Sequence, residues 1–260
     1  KSIFAPRSAV FPESGGGSAT NVLTGCSVTI FNPDTSGCWD SADVLVRSAV
    51  PTTTKVETQS LYAADTVELS EQLILNMGIR LDHYDISRSG LDRNNVAFVY
   101  GRNDTMVNGN LGLTWKPRDN GTVYLAYATS SNPMGQELDG GGGDYAGLDA
   151  NSQLLEPEQN TSLELGTKWQ LGNLMVTGAA FQTTKGQARE TIGTGPSATT
   201  SDTGKYKVTG IELGVAGNVT DKLSLWGGAT VINSEILESA DAANLGMEFA
   251  NIAHEQFNLL

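Results

Sequence analysis

From residue 57 onward, apolar and polar residues alternate in pairs of segments joined by short polar turns. Leu73, Leu75, Met77, Ile79 and Leu81 alternate with Ile74, Asn76, Gly78, Arg80 and Asp82. Leu163, Leu165, Thr167, Trp169 and Leu171 alternate with Glu164, Gly166, Lys168 and Gln170. Successive side chains of a strand point to opposite faces, so period-two alternation predicts strands with one apolar and one polar face. The same plan recurs at 110–127 and 211–226. The turns are Ser70-Glu71-Gln72, 117–121, Gly172-Asn173 and 218–222, at roughly even spacing.

Connections at the opposite ends are much longer. Stretches 87–104, 132–158, 186–204 and 236–252 carry most of the Gly, Pro, Asp and Asn, and are expected to be loops. Loops beyond about 12–15 residues are uncommon in compact domains, whereas outer-membrane barrels combine short turns at one rim with long loops at the other. The apolar side of each strand is nearly free of charge, as lipid demands. The polar side is largely Asn, Gly, Thr and Gln, which suits a wet lumen. Trp115 and Trp169 fall on the apolar side within three residues of a short turn, where an interfacial aromatic girdle belongs. The expectation is an all-β fold: an antiparallel up-and-down meander of about 8–10 strands forming a partial transmembrane β-barrel. Residues 49–260 make up this barrel segment, and 1–48 an outer-loop segment.

Composition narrows the function. A net charge of −13 argues against nucleic-acid binding. No run of 18 apolar residues is present to form a membrane-spanning helix, and "KSIFAPRSAV" has no apolar core of a secretory signal. Cys26 and Cys38 flank a polar, turn-rich stretch without metal-ligand spacing, and a disulfide between them is expected in an oxidising compartment. His83 and His254 are isolated and read as ordinary strand residues, so no metal site is expected. Asp139, Asp144 and Asp149 lie in a glycine-rich stretch that lacks the spacing of calcium-binding repeats, and read as solvated loop charges. No nucleophile elbow, His-Glu-x-x-His or phosphate loop occurs, so no enzymatic activity is expected.

Four ordered segments carry a family resemblance: "SLYAADTVELSEQLILNMGIRLDHYD" (60–85), "NGNLGLTWKPRDNGTVYLAYATSSNP" (108–133), "LEPEQNTSLELGTKWQLGNLMVTGAAFQTTKGQARET" (155–191) and "KVTGIELGVAGNVTDKLSLWGGAT" (207–230). They resemble successive hairpins of TonB-dependent siderophore receptors. The resemblance implies a piece of the mid-to-late wall of a 22-stranded barrel, without the family's plug, TonB-binding segment or final strands. It implies an outer-membrane receptor for ferric siderophores in a Gram-negative bacterium, energised through TonB by the missing N-terminal region. The siderophore is cargo, no cofactor is implied, and lipid and lipopolysaccharide are the expected surroundings. Anionic chelates suit aromatic and basic side chains, so Trp39, Tyr100, Arg102 and Tyr145 are the candidate ligand contacts in outer loops, with Arg88 and Arg93 behind them. Two other readings compete: a passive porin or other nutrient channel, and a soluble all-β glycan-binding or adhesin module. The second would carry charge on both faces of its sheets.

Overall fold

A computed structural model describes residues 52–92, 95–135, 148–193, 198–220, 222–250 and 252–260, with the short strands Ser2–Phe4 (β1), Arg7–Ser8 (β2) and Val46–Arg47 (β3). Nine further strands follow: β4 (Thr52–Ser70), β5 (Leu73–Leu91), β6 (Ala97–Arg118), β7 (Gly121–Asn132), β8 (Glu158–Leu171), β9 (Leu174–Ile192), β10 (Thr199–Thr220), β11 (Leu223–Glu238) and β12 (Glu255–Leu259). Ten strands form one sheet in the order β1-β4-β5-β6-β7-β8-β9-β10-β11-β12. Apart from β1, every strand therefore sits beside its sequence neighbour, which is the expected meander. Among the described residues the only helical pieces are 3-10 turns at Ser152–Leu154 and Ala242–Asn244.

Contacts divide the chain into two compact units, Lys1–Thr54 with Arg88–Val99, and Lys55–Ser87 with Tyr100–Leu260. In the first, β1 pairs with the start of β4 through Ser2↔Thr54 and Phe4↔Thr52, and β2 pairs with β3. The end of β5 turns into β6 through a tight connection. Asn95, at φ 61°, donates its N–H to Asp92 O at 3.1 Å, and the Asp92 carboxylate accepts from Val96 N at 2.8 Å.

That connection corrects one expectation. Residues 87–104 are not a long loop but mostly the ends of β5 and β6, and 186–204 are mostly β9 and β10. Beyond the bilayer a strand needs no alternation of apolar and polar faces, so mostly polar stretches such as 186–192 and the apolar run at 96–100 both hide its continuation from a pattern reading. Backbone pairing carries on regardless. From β4 onward, the two long stretches between strands are 133–157 and 239–254.

In the second unit the ladders are continuous across β7 to β11. One row runs Leu125–Leu165–Ala180–Ile211–Val231 and the next Val123–Thr167–Gly178–Leu213–Ala229. These rows share the face on which Leu111, Leu113, Leu163, Leu165, Ile211 and Leu213 are all exposed. A soluble sheet would bury this face; here it is the solvent-exposed side of the sheet. The opposite face holds rows such as Ala128–Ser162–Thr183–Val208–Ser234. It is less uniformly polar than its alternation implies, because Phe181 and Ile232 also lie on it, flanking Gly210. A Cβ at Gly210 would run into both side chains, so glycine is what lets them pack.

Candidate functional site

The polar face carries the chemistry. Near the middle of β5, Arg80 donates Nε to both oxygens of Asp82, at 3.0 and 2.8 Å, and Nη2 to Ser60 Oγ at 3.0 Å. Ser60 in turn donates to Asp82 Oδ1. Arg80 nonetheless leaves 53% of its side chain exposed, and Tyr62 on the neighbouring strand is 73% exposed. On β7 and β8, Tyr124 donates its hydroxyl to Glu164 at 2.6 Å, with Lys168 Nζ 5.5 Å from the ring centre. Gly166 lies beneath that ring, where a Cβ would collide.

Farther from the short turns, the two described ends of the 133–157 connection lie against β5 and β6. Met134 and Leu148 pack with Tyr84, Ile86 and Met106 into a buried cluster, with Tyr100 against it. Asp149 organises the returning chain, since its carboxylate accepts from Asn151 N at 2.8 Å and Ser152 N at 2.7 Å. It is exposed, yet it is a turn former and not merely a solvated charge.

Two candidate ligand contacts are thereby relocated. Tyr100 and Arg102 stand in β6, not in an outer loop. Arg102 is 11% exposed and is consumed by Asp104 (2.6 and 2.8 Å), Gln153 O (3.2 Å) and Glu156 (3.5 Å). Its guanidinium clamps the connection to β6 and presents little to a ligand. Arg88 lies 5.5 Å from the Phe98 ring centre in the first unit. Trp39, Tyr145, Arg93, Asp139, Asp144, Cys26 and Cys38 lie outside the described residues. Sequence reasoning missed Tyr62 and Arg80 as the accessible aromatic–basic pair. The usable signal was Arg80 itself, a rare charge on the polar side of an otherwise neutral stretch.

At the rim, Glu158 is fully buried (0% exposed) and takes Lys185 Nζ at 2.8 Å, Asn132 Nδ2 at 2.8 Å and Arg189 N at 3.3 Å. It stands beyond the apolar part of β8, which starts at Leu163. Burial pushes its carboxyl up, but Lys185, Asn132 and the Arg189 amide outweigh burial and hold it below the ordinary range.

Trp115 and Trp169 both lie on the apolar face near short turns. Trp115 pairs across from Val123, and Trp169 pairs with Gly121 and Val176, its Nε1 donating to Thr167 Oγ1 at 2.6 Å. Trp226 sits opposite Ala216, on the other face. His83 faces away from Asp82 and Tyr84, its Nδ1 3.2 Å from Thr105 Oγ1, and His254 Nε2 meets Glu248 at 3.1 Å.

A long antiparallel meander with an exposed apolar face, a hydrogen-bonded polar face and tight turns along one end is the wall of an outer-membrane-type β-barrel. Residues 15–260 match the family described as TonB dependent receptor-like, beta-barrel, and the chain belongs to that family. It is 39% identical over 190 residues to the probable TonB-dependent receptor BfrD of Bordetella pertussis, covering 70% of this chain and 24% of that protein. It is 30% identical over 248 residues to the catecholate siderophore receptor Fiu of Escherichia coli K12, covering 87% and 32%. The crystal structure of the siderophore receptor PiuA from Acinetobacter baumannii superposes with a TM-score of 0.69 at 31% identity, covering 82% of this chain and 31% of that one. The chain thus spans about a quarter to a third of the length of the curated relatives it matches.

Proposed function

We propose that the chain is part of the barrel wall of an outer-membrane receptor that takes up ferric siderophores, energised through TonB. The observation that carries the reading is the family match over nearly the whole chain, with relatives such as Fiu and PiuA named as siderophore receptors. The wall supplies scaffold and selectivity and performs no covalent chemistry. Its apolar face meets lipid, its outer rim meets lipopolysaccharide, and Trp115 and Trp169 anchor the short-turn edge at the membrane interface. The ferric siderophore is cargo.

Among the described residues, Tyr62 and Arg80 are the lumen-facing pair suited to an anionic chelate, by ring contact and charge-assisted hydrogen bonding. Trp39 and Tyr145 remain proposed contacts from outer segments. Arg102 and Tyr100 act instead by holding the mouth in shape.

The test is complementation of a strain lacking the intact parent gene, followed by uptake of radiolabelled iron presented as ferric catecholate and as ferric hydroxamate. Uptake that needs both the gene and the proton gradient supports the reading. Uptake that persists when the gradient is collapsed indicates passive diffusion and overturns it. Arg80→Ala should lower uptake of the anionic chelate about 10- to 100-fold, the scale of one charge-assisted hydrogen bond at about 1.5–3 kcal/mol.

A further inference from the structure

The β6–β7 backbone ladder runs from Arg118↔Gly121 only as far as Asn110↔Ala128. β7 stays paired with β8 up to Asn132↔Glu158, so β6 is the strand that parts from its neighbour. Above the break, side chains replace the ladder. Thr129 Oγ1 accepts from Gly109 N at 2.9 Å and donates to Gly109 O at 3.4 Å. Ser131 Oγ donates to Asn108 Oδ1 at 3.0 Å. Backbone groups of alternate strand residues point to the same side, so those of Val107, Thr105 and Asn103 face the gap as Gly109 does.

The gap opens into a cavity of about 410 Å³ bounded by β6, β7, the start of β8 and the returning connection at Glu156 and Pro157. Its lining is dominated by amides and hydroxyls, among them Asn108, Thr129, Ser130, Gln159, Asn160 and Thr161. Its charged groups are one cation and two carboxylates, Arg102 against Asp104 and Glu156, already engaged with one another. Such a site disfavours an anion: the local balance is negative and the guanidinium donors are spent. Met106, Val107 and Pro157 add apolar surface for ring C–H groups. The volume falls in the range of small-ligand sites.

We propose that this cavity binds a neutral polyhydroxylated group, a sugar unit, independently of the anionic chelate proposed above. The amide of Asn108 and the hydroxyl of Ser130 would contact sugar hydroxyls, and the unladdered edge of β6 would supply further donors and acceptors. The sugar could arrive on a free oligosaccharide or on the saccharide core of lipopolysaccharide, since both present the same hydroxyl chemistry.

The experiment uses the intact receptor in detergent. Isothermal titration is run with maltotriose, with core oligosaccharide released from lipopolysaccharide, and with inorganic phosphate as the anionic probe. Saturable binding of either saccharide supports the proposal, and which one binds identifies the source. Asn108→Ala should weaken that binding about fivefold, the scale of one neutral hydrogen bond. Ser130→Tyr, which fills the cavity, should abolish it while ferric-chelate binding persists, and that persistence also reports correct folding. No saccharide binding overturns the proposal. So does binding that survives both substitutions, or phosphate binding that displaces the sugar.

Discussion

Leu165→Arg tests the assignment of faces directly. Leu165 lies between Leu125 and Ala180 in its row and is 55% exposed, so in a membrane it faces hydrocarbon. An arginine there has no nearby polar refuge. Thr161, the outward threonine toward the outer rim, is about 13 Å away along the strand at about 3.3 Å per residue. Thr167 is nearer, but its hydroxyl already donates to Thr122 O at 2.9 Å and accepts from Trp169. The cost expected for arginine near the midplane of a barrel is about 2–4 kcal/mol. That shifts the folding equilibrium by roughly 30- to 1000-fold at about 1.4 kcal/mol per tenfold. Ala128→Arg is the control, on the opposite face beside Ser162, where the cost should stay under about 1 kcal/mol because an aqueous lumen accepts charge. The assay is guanidinium titration of the intact receptor refolded into phospholipid vesicles, scored by tryptophan fluorescence and by the gel shift of folded barrels. If both substitutions cost the same, or if Leu165→Arg costs less than about 1 kcal/mol, the apolar face does not meet lipid and the barrel reading fails.

Three further outcomes are expected. Lys185→Met should destabilise the rim by about 3–5 kcal/mol, the usual effect of stranding one partner of a buried ion pair; hydrogen exchange at the start of β8 reports it. Because the folded Glu158 carboxyl sits below its ordinary range, its stabilising contribution is full above the unfolded value and fades as pH falls through the folded one. Acid titration of the wild type should therefore show a loss of rim protection below about pH 4.3 that Glu158→Gln lacks. Gly121→Ala places a Cβ where the Trp169 ring lies, so the ring must move, and a shifted tryptophan emission with a loss of about 1–3 kcal/mol is expected. An unchanged spectrum would contradict the packing described.

How much of this was legible beforehand depended on where a residue sits relative to the membrane. Leu73–Leu81 and Leu163–Leu171 announced strands because lipid on one side and water on the other force period-two alternation. The turn at Gly172-Asn173 was legible for a similar reason, since Gly172 takes φ 63° and glycine suits that region. At 87–104 and 186–204 the alternation vanishes, into stretches polar on both faces and, at 96–100, into a run apolar on both, so a pattern reading predicts loops there.

The candidate site shows the same division. Arg102 reads in sequence as a basic residue with one carboxylate nearby, Asp104, because Gln153 and Glu156, which complete its coordination, are about 50 positions away. Arg80 looks no different in sequence, yet it keeps its outer side chain open. The break in the β6–β7 ladder leaves no local mark either, since threonine and asparagine are ordinary strand-rim residues. By itself, then, the sequence determined the strand period, the lipid-facing side, the tight turns and the family likeness, all local or repeated consequences of solvent on each face. The tertiary structure decided which distant groups complete the local charge pairs, as Glu156 and Gln153 do for Arg102 and Lys185 for Glu158, and where the wall opens, because these depend on groups that are far apart in the sequence.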